Sequence, residues 1–256
     1  NPCIVCNTRL KFGKLFEYGR SVGAESVATG HHARILACDG GPALCRATDL
    51  AKDQSYALFG IPRDRLPNVL FPVGEYRKEQ VRAFAAELGL RVADKPDSQE
   101  ICFVPPGEHA EFVRRRTGRD TAGDIVTTDG TVVGRHDGIE RFTIGQRKGL
   151  RVAMGEPYYV VRIEPGTRRV VLGRMEDLAC SELTASGANW LVDPPSASRR
   201  CTVKIRYRST AEPATVNVLA PGRFQVQFDE PRHGVAPGQA AVCYDGDRVL
   251  GGGWID

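Results

Sequence analysis

The sequence predicts an α/β segment followed by short β-rich segments that end in a small antiparallel barrel. Three observations predict it. Helix-period apolar patterns at residues 8–22 and 78–88 flank a short strand at 25–30 that ends on a glycine. From Gly118 onward, Asp-Gly and Pro-Gly turns recur at 129–130, 137–138, 165–166, 221–222, 237–238 and 245–246, with short β-rich runs between them. The length, 256 residues, is enough for one large domain or two small ones with a buried core.

Each element follows from its residues. Leu10, Phe12, Leu15, Phe16 and Val22 recur at helical spacing, and Gly23 supplies a stop. Glu25–Gly30 is a short strand leading into His31 and His32. Residues 78–88 place Val81, Phe84, Ala85 and Leu88 on one helical face, with Gly89 at the C-terminal stop. Residues 91–102 are polar, contain Pro96 and read as a loop carrying Cys102, before a short helix over about 108–116. Strands are predicted at 158–163, 169–172, 202–207, 215–218, 224–228 and 240–244. In the 202–208 run Val203, Ile205 and Tyr207 share the core face, while Lys204, Arg206 and Arg208 share the solvent face.

Apolar residues make up 41% of the chain and charged residues 26%, as in ordinary globular proteins, and no run is long enough for a membrane helix. There is no signal peptide pattern, position 1 is Asn, and the two methionines are Met154 and Met175. The expectation is a fragment or processed product, without membrane association. The net charge of +4 is mild, but three basic clusters stand out: Arg199–Arg208, Arg114–Arg119, and Arg141, Arg147, Lys148 and Arg151. Such patches on a nearly balanced chain suit a polyanion.

Eight cysteines without a secretion signal predict reduced thiols in a cytoplasmic protein. Cys3 and Cys6 form a C-x-x-C at the head of a helix, where free amides and the dipole favour thiolate. A four-cysteine zinc site needs a second close pair, and Cys38 and Cys45 are too widely spaced to supply it. Cys102, between Ile101 and Phe103, is either a buried thiol or a loop thiol that meets Cys6 in space. Gly30, at a strand end, admits close backbone approach to a ligand. Gly251–Gly253 has no helix behind it and is no phosphate cradle.

Taken in order, these segments resemble the tRNA-specific 2-thiouridylases. The resemblance rests on Asn1-Pro2-Cys3-Ile4-Val5-Cys6-Asn7 with Lys11-Phe12, on Ala28-Thr29-Gly30-His31-His32-Ala33-Arg34, and on Lys52-Asp53-Gln54-Ser55-Tyr56. It continues through Phe71–Gly74, Asp97-Ser98-Gln99-Glu100-Ile101-Cys102-Phe103, Thr143-Ile144-Gly145-Gln146-Arg147-Lys148-Gly149, Arg206-Tyr207-Arg208 and Leu250–Gly253. It covers nearly the whole chain. His32 stands where the family has tyrosine, and Cys3 where other members have aspartate.

The resemblance implies the remainder of an adenine-nucleotide α-hydrolase-like (PP-loop) domain over 1–117, a central β-rich domain over 118–178 and a tRNA-binding barrel over 179–256. It implies ATP-dependent 2-thiolation of the wobble uridine, with Mg2+ expected alongside ATP. Adenylation makes the carbonyl oxygen a leaving group, Cys102 carries the sulfur as a persulfide, and Cys6 is the nucleophile. The two thiols are then able to form a disulfide during turnover. Gly30 maps to an ATP contact, Asn1, Pro2 and Cys3 to the segment beside the target base, and Lys52, Asp53, Gln54, Arg206 and Tyr207 to tRNA contacts. A cysteine desulfurase or sulfur-relay protein is the implied donor. The family's S-G-G-x-D-S phosphate loop is absent from these residues, so the fragment is expected to be inactive alone, and a non-catalytic tRNA-binding remnant is the alternative. Convergence of Cys3, Cys6 and Cys102 on a [4Fe–4S] cluster is a further alternative. A plain thiol–disulfide oxidoreductase ranks last, because it leaves the basic strand face without a role.

Overall fold

The computed structural model describes residues 1–91, 93–94, 101–105 and 107–256. The chain is helical from Pro2 to Ser21, as α1 (Pro2–Val5), a π-helical stretch over Cys6–Lys14 and α2 (Leu15–Ser21). Asn1 is the N-cap, its side chain accepting the Cys3 amide at 3.2 Å, and Pro2 follows where a missing N–H costs nothing. This cap starts the helix six residues before the apolar period becomes visible in the sequence. The Leu15 amide donates to the Leu10 carbonyl, the i→i−5 bond of a π-helix. Ile4, Phe12 and Phe16 point into the core.

Next come β1 (Val27–Ala28), β2 (Ala33–Cys38), β3 (Gly41–Arg46) and β4 (Val69–Leu70). β1 and β4 pair in parallel, and β2 and β3 form an antiparallel hairpin. The hairpin escapes sequence reading because neither strand alternates polar with apolar residues. α3 (Lys78–Glu87) forms where the period predicts it, with the Gln80 side chain accepting the Arg77 amide at 2.8 Å. Its apolar face, however, is open among the described residues: Phe84 is 44% exposed and Leu88 73%. The predicted loop falls largely at residues 95–100, and with it Asp97-Ser98-Gln99-Glu100 of the second cysteine motif. Those residues lie outside the described ones.

α4 (His109–Thr117) ends on Gly118 in the left-handed conformation. β5 (Gly123–Thr127), β6 (Val132–His136), β7 (Tyr159–Glu164) and β8 (Arg169–Gly173) make a mixed four-stranded sheet in the order β6-β5-β8-β7. Only β5 and β8 run parallel. Ile125, Leu150, Val160, Val170 and Leu172 form its core.

β9 (Ala179–Trp190), β10 (Arg199–Lys204), β11 (Glu212–Ala220), β12 (Arg223–His233), β13 (Ala240–Asp245) and β14 (Arg248–Ile255) close into a six-stranded barrel. The closing pair is β13 with β14, and β3 adds on beside β14 at Cys45↔Arg248. Gly252 lies at the centre of β14. A Cβ there would stand 2.7 Å from the Ala241 carbonyl oxygen and 3.0 Å from the Phe59 ring. The glycine triplet is therefore a packing device that lets Phe59 lie on the barrel wall.

The described chain forms two compact units, Asn1–Asp97 with Glu182–Asp229 and Pro237–Asp256, and Ser98–Ser181 with Glu230–Ala236. In the first, helix residues Ile4, Phe12 and Phe16 share one core with Tyr56 and Phe59 and with barrel residues Val242, Tyr244 and Val249. No helix among the described residues is long and apolar enough to cross a membrane.

Candidate nucleic-acid interface and thiol sites

In the first unit, the loop after β3 is built around the carboxylate of Asp53, which is 7% exposed. Its Oδ1 accepts from the Ala47 and Ser55 amides, both at 3.1 Å, and its Oδ2 from the Ser55 hydroxyl at 2.8 Å. The hydroxyls of Ser55 and buried Tyr244 lie 3.2 Å apart. Asp53 is thus the organiser of its loop, and the half-buried Lys52 beside it reaches further toward solvent. Gln54 grips His32 in both directions. Its Oε1 accepts the His32 amide at 2.9 Å, and its own amide donates to the His32 carbonyl at 2.8 Å.

Arg206, Tyr207 and Arg208 do not continue a strand. β10 stops at Lys204, and Arg206–Ser209 turns, with the Ser209 amide and hydroxyl both donating to the Arg206 carbonyl. The turn corrects the predicted face assignment: Val203 and Ile205 are buried, but the Tyr207 ring is 42% exposed. Tyr207 leans toward the fully buried Tyr56, ring centroids 6.4 Å apart, and the Lys204 ammonium lies 5.8 Å from one ring and 5.9 Å from the other. Partial burial raises the Tyr207 hydroxyl pKa, and the charges acting on it come from Asp53, Arg208, Lys52 and Cys3. Burial lowers the pKa of both Lys204 and Arg206. Groups from three segments distant in sequence, near residues 3, 52 and 207, therefore act electrostatically on one exposed tyrosine.

Gly30 follows β1, is exposed, and a Cβ built on it would meet nothing within 4 Å. Beside it His31 is buried between the rings of Phe12 and Phe71. Its Nε2 lies 3.2 Å from the Lys11 ammonium, and its Nδ1 lies 2.7 Å from the Thr29 hydroxyl. An ammonium only donates, so Nε2 accepts and Nδ1 carries the proton toward Thr29. Burial, with the Lys11 charge second and His32 third, lowers the His31 pKa to about 4 and keeps the ring neutral. Lys11 carries no signal of its own in the sequence; only the structure places it against His31.

Cys3 is exposed and Cys6 half-buried at the start of the π stretch. Next to Cys6, buried Asn7 donates to the Ala57 carbonyl at 3.0 Å, tying the helix to the turn after Gln54. In the second unit Cys102 is exposed within a turn closed by the Val104 amide on the Ile101 carbonyl, which removes the buried-thiol alternative. All eight cysteines are free thiols; burial first, and nearby Cys38 second, push Cys45 up to about 11 and leave it inert. Among the described residues, no three His, Cys, Asp or Glu side chains are grouped to hold a metal ion.

Three family models match the chain: tRNA methyl transferase HUP domain over residues 1–106, tRNA methyl transferase PRC-barrel domain over 110–174, and aminomethyltransferase beta-barrel domain over 180–255. Proteins named tRNA-specific 2-thiouridylase MnmA are similar throughout. That of Rhodopirellula baltica is 53% identical over 100% of this chain and 66% of its own length. That of Syntrophotalea carbinolica is 47% identical over 100% and 73%, and that of Rhodospirillum centenum 50% identical over 99% and 67%. This chain thus spans between 66% and 73% of the length of these relatives. The ordered motifs, the α/β segment, the mixed sheet, the closed barrel and this similarity agree: the chain belongs to the tRNA-specific 2-thiouridylase family.

Proposed function

We propose that the chain transfers sulfur to C2 of the wobble uridine of tRNA. The observation that carries this reading is the exposed Tyr207 ring with the Lys204 ammonium 5.8 Å from it. An exposed aromatic ring beside a cation suits an unstacked base and its phosphates. Lys52 and Arg206 meet phosphate, Tyr207 stacks, and Asp53 and Gln54 act by holding their loop and the Gly30–His32 turn in place. Asn1, Pro2 and Cys3, fixed by the helix cap, stand beside the target base. In this reading residues 1–117 carry the nucleotide and Cys6, residues 118–178 form the central domain, and residues 179–256 bind tRNA.

Two features fit ATP: the open surface over Gly30, and the Lys11 cation held by a neutral His31. ATP with Mg2+, when bound, supplies the adenylyl group that turns the uridine carbonyl oxygen into a leaving group. The residues of this chain do the rest. A donor, a cysteine desulfurase or relay protein, loads the accessible Cys102 thiol with one sulfane sulfur in the reducing cytoplasm. The terminal sulfur of that persulfide bonds to C2 as the C2–O bond breaks and the oxygen leaves with the adenylyl group as AMP. The Cys6 thiolate attacks the Cys102 Sγ, the persulfide S–S bond breaks, and its electron pair stays with the sulfur now on the base. A Cys6–Cys102 disulfide remains, and an external thiol reduces it.

The test is the 2-thiouridine content of tRNA, by mass spectrometry, in cells that lack their own thiolation enzyme and carry the full-length gene, phosphate loop included. Wild type restores the modification; Cys6→Ser and Cys102→Ser lower it at least a hundredfold with tRNA affinity unchanged. Wild-type thiolation in either variant overturns the assignment.

A further inference from the structure

The second unit carries a cationic loop that the proposed tRNA contacts leave unused. Thr143–Arg151 is knotted around Gln146, whose Oε1 accepts the Thr143 amide and whose Nε2 donates to the Lys148 carbonyl, both at 3.0 Å. The knot is pinned to β7, the Gly145 amide donating to the Val160 carbonyl at 2.7 Å and the Val160 amide to the Gln146 carbonyl at 2.9 Å. Leu150 is buried in the sheet core, so its neighbours are turned outward. Arg147, Lys148 and Arg151 are all exposed. Arg151 holds a positive φ of 57°, one of two such non-glycine residues among those described.

Among the described residues its charges also find no acid. In the same unit Arg114, Arg115, Arg135, Arg162, Arg168 and Arg174 each reach an acid within ion-pair distance. Arg147, Lys148 and Arg151 reach none among the described residues. Arg147 and Arg151 flank a cleft of about 440 Å³ that also takes in Gly155, Glu156 and Tyr158. The acid there, Glu156, is held by Arg174 at 2.7 Å and does not quench the pair. A rigid loop with three uncompensated cations at the rim of a nucleotide-sized cleft is preorganised for a phosphodiester backbone.

We propose that the Thr143–Arg151 loop is a second RNA-binding surface, with Arg147 and Arg151 gripping backbone phosphates of the tRNA. This rests on the tRNA reading above. The test is tRNA binding by the 256-residue chain across a salt series. R147A/R151A lowers affinity about tenfold and flattens the slope of log K against log salt by about 1.5. Alanine tolerates φ +57° no worse than arginine, so the fold is kept. R147K/R151K retains the wild-type slope, and the paired-arginine control R135A leaves it unchanged. An R147A/R151A slope equal to wild type overturns the second surface, while loss of slope in K52A/R206A alongside it leaves the first interface standing. If wild type binds no tRNA at all, both readings fall together.

Discussion

His31 shows how one residue ties local chemistry to stability. A buried, neutral imidazole between Lys11 and Thr29 has a folded pKa near 4 against 6.5 in the unfolded chain. Between those values the unfolded chain binds one more proton than the folded one, so stability rises with pH across this window. It is fully present above pH 6.5 and is lost as pH falls toward 4, by at most about 3 kcal/mol. Urea unfolding at pH 7 and pH 4.5 checks this: wild type loses most of that amount, and His31→Asn loses about 2 kcal/mol less between the two values. Equal losses in both proteins contradict a neutral buried His31. Cys6, Cys102, Lys52 and Tyr207 stand out as candidates because they sit in recognisable motifs. Their division of labour does not. Asp53 reads in sequence as a contact, and only its three accepted hydrogen bonds show that it organises the loop.

At the level of elements, sequence pattern and structure agree where a period has a cause within the element itself. The helix over 78–87 and the strands β7, β8 and β13 follow from spacing and turn chemistry, whereas β9 and β14 carry no such signal. Three features depended on partners instead. The β2–β3 hairpin is held through β14, the π-helical turn has no periodic signature, and β10 ends at a serine-closed turn that swings Tyr207 outward. The glycine triplet of β14 belongs with them, since its meaning comes from Phe59 on another element. Gly252→Ala forces a methyl group into the Ala241 carbonyl and that ring, and is expected to cost about 1–3 kcal/mol. Chemical denaturation measures it. A variant as stable as wild type shows that the close approach of Phe59 to the barrel wall is not a constraint.

For the molecule as a whole, the chain is two compact units, with Cys6 in one and Cys102 in the other. The helix that presents Cys6 shares its core with the barrel, so that thiol is fixed by the same packing that carries Lys204 and Tyr207. Cys102 is exposed in a turn and open to a donor. Sulfur transfer by the proposed route requires these two thiols to meet during one reaction, which for a disulfide means Cα atoms within about 7 Å. Mild oxidation of the native chain in the presence of tRNA, followed by peptide mapping, tests that requirement directly. The expected result is a linked peptide pair joining Cys6 to Cys102, lost in Cys6→Ser and in Cys102→Ser. Oxidation that joins neither thiol to the other, with both still open to alkylation, contradicts it.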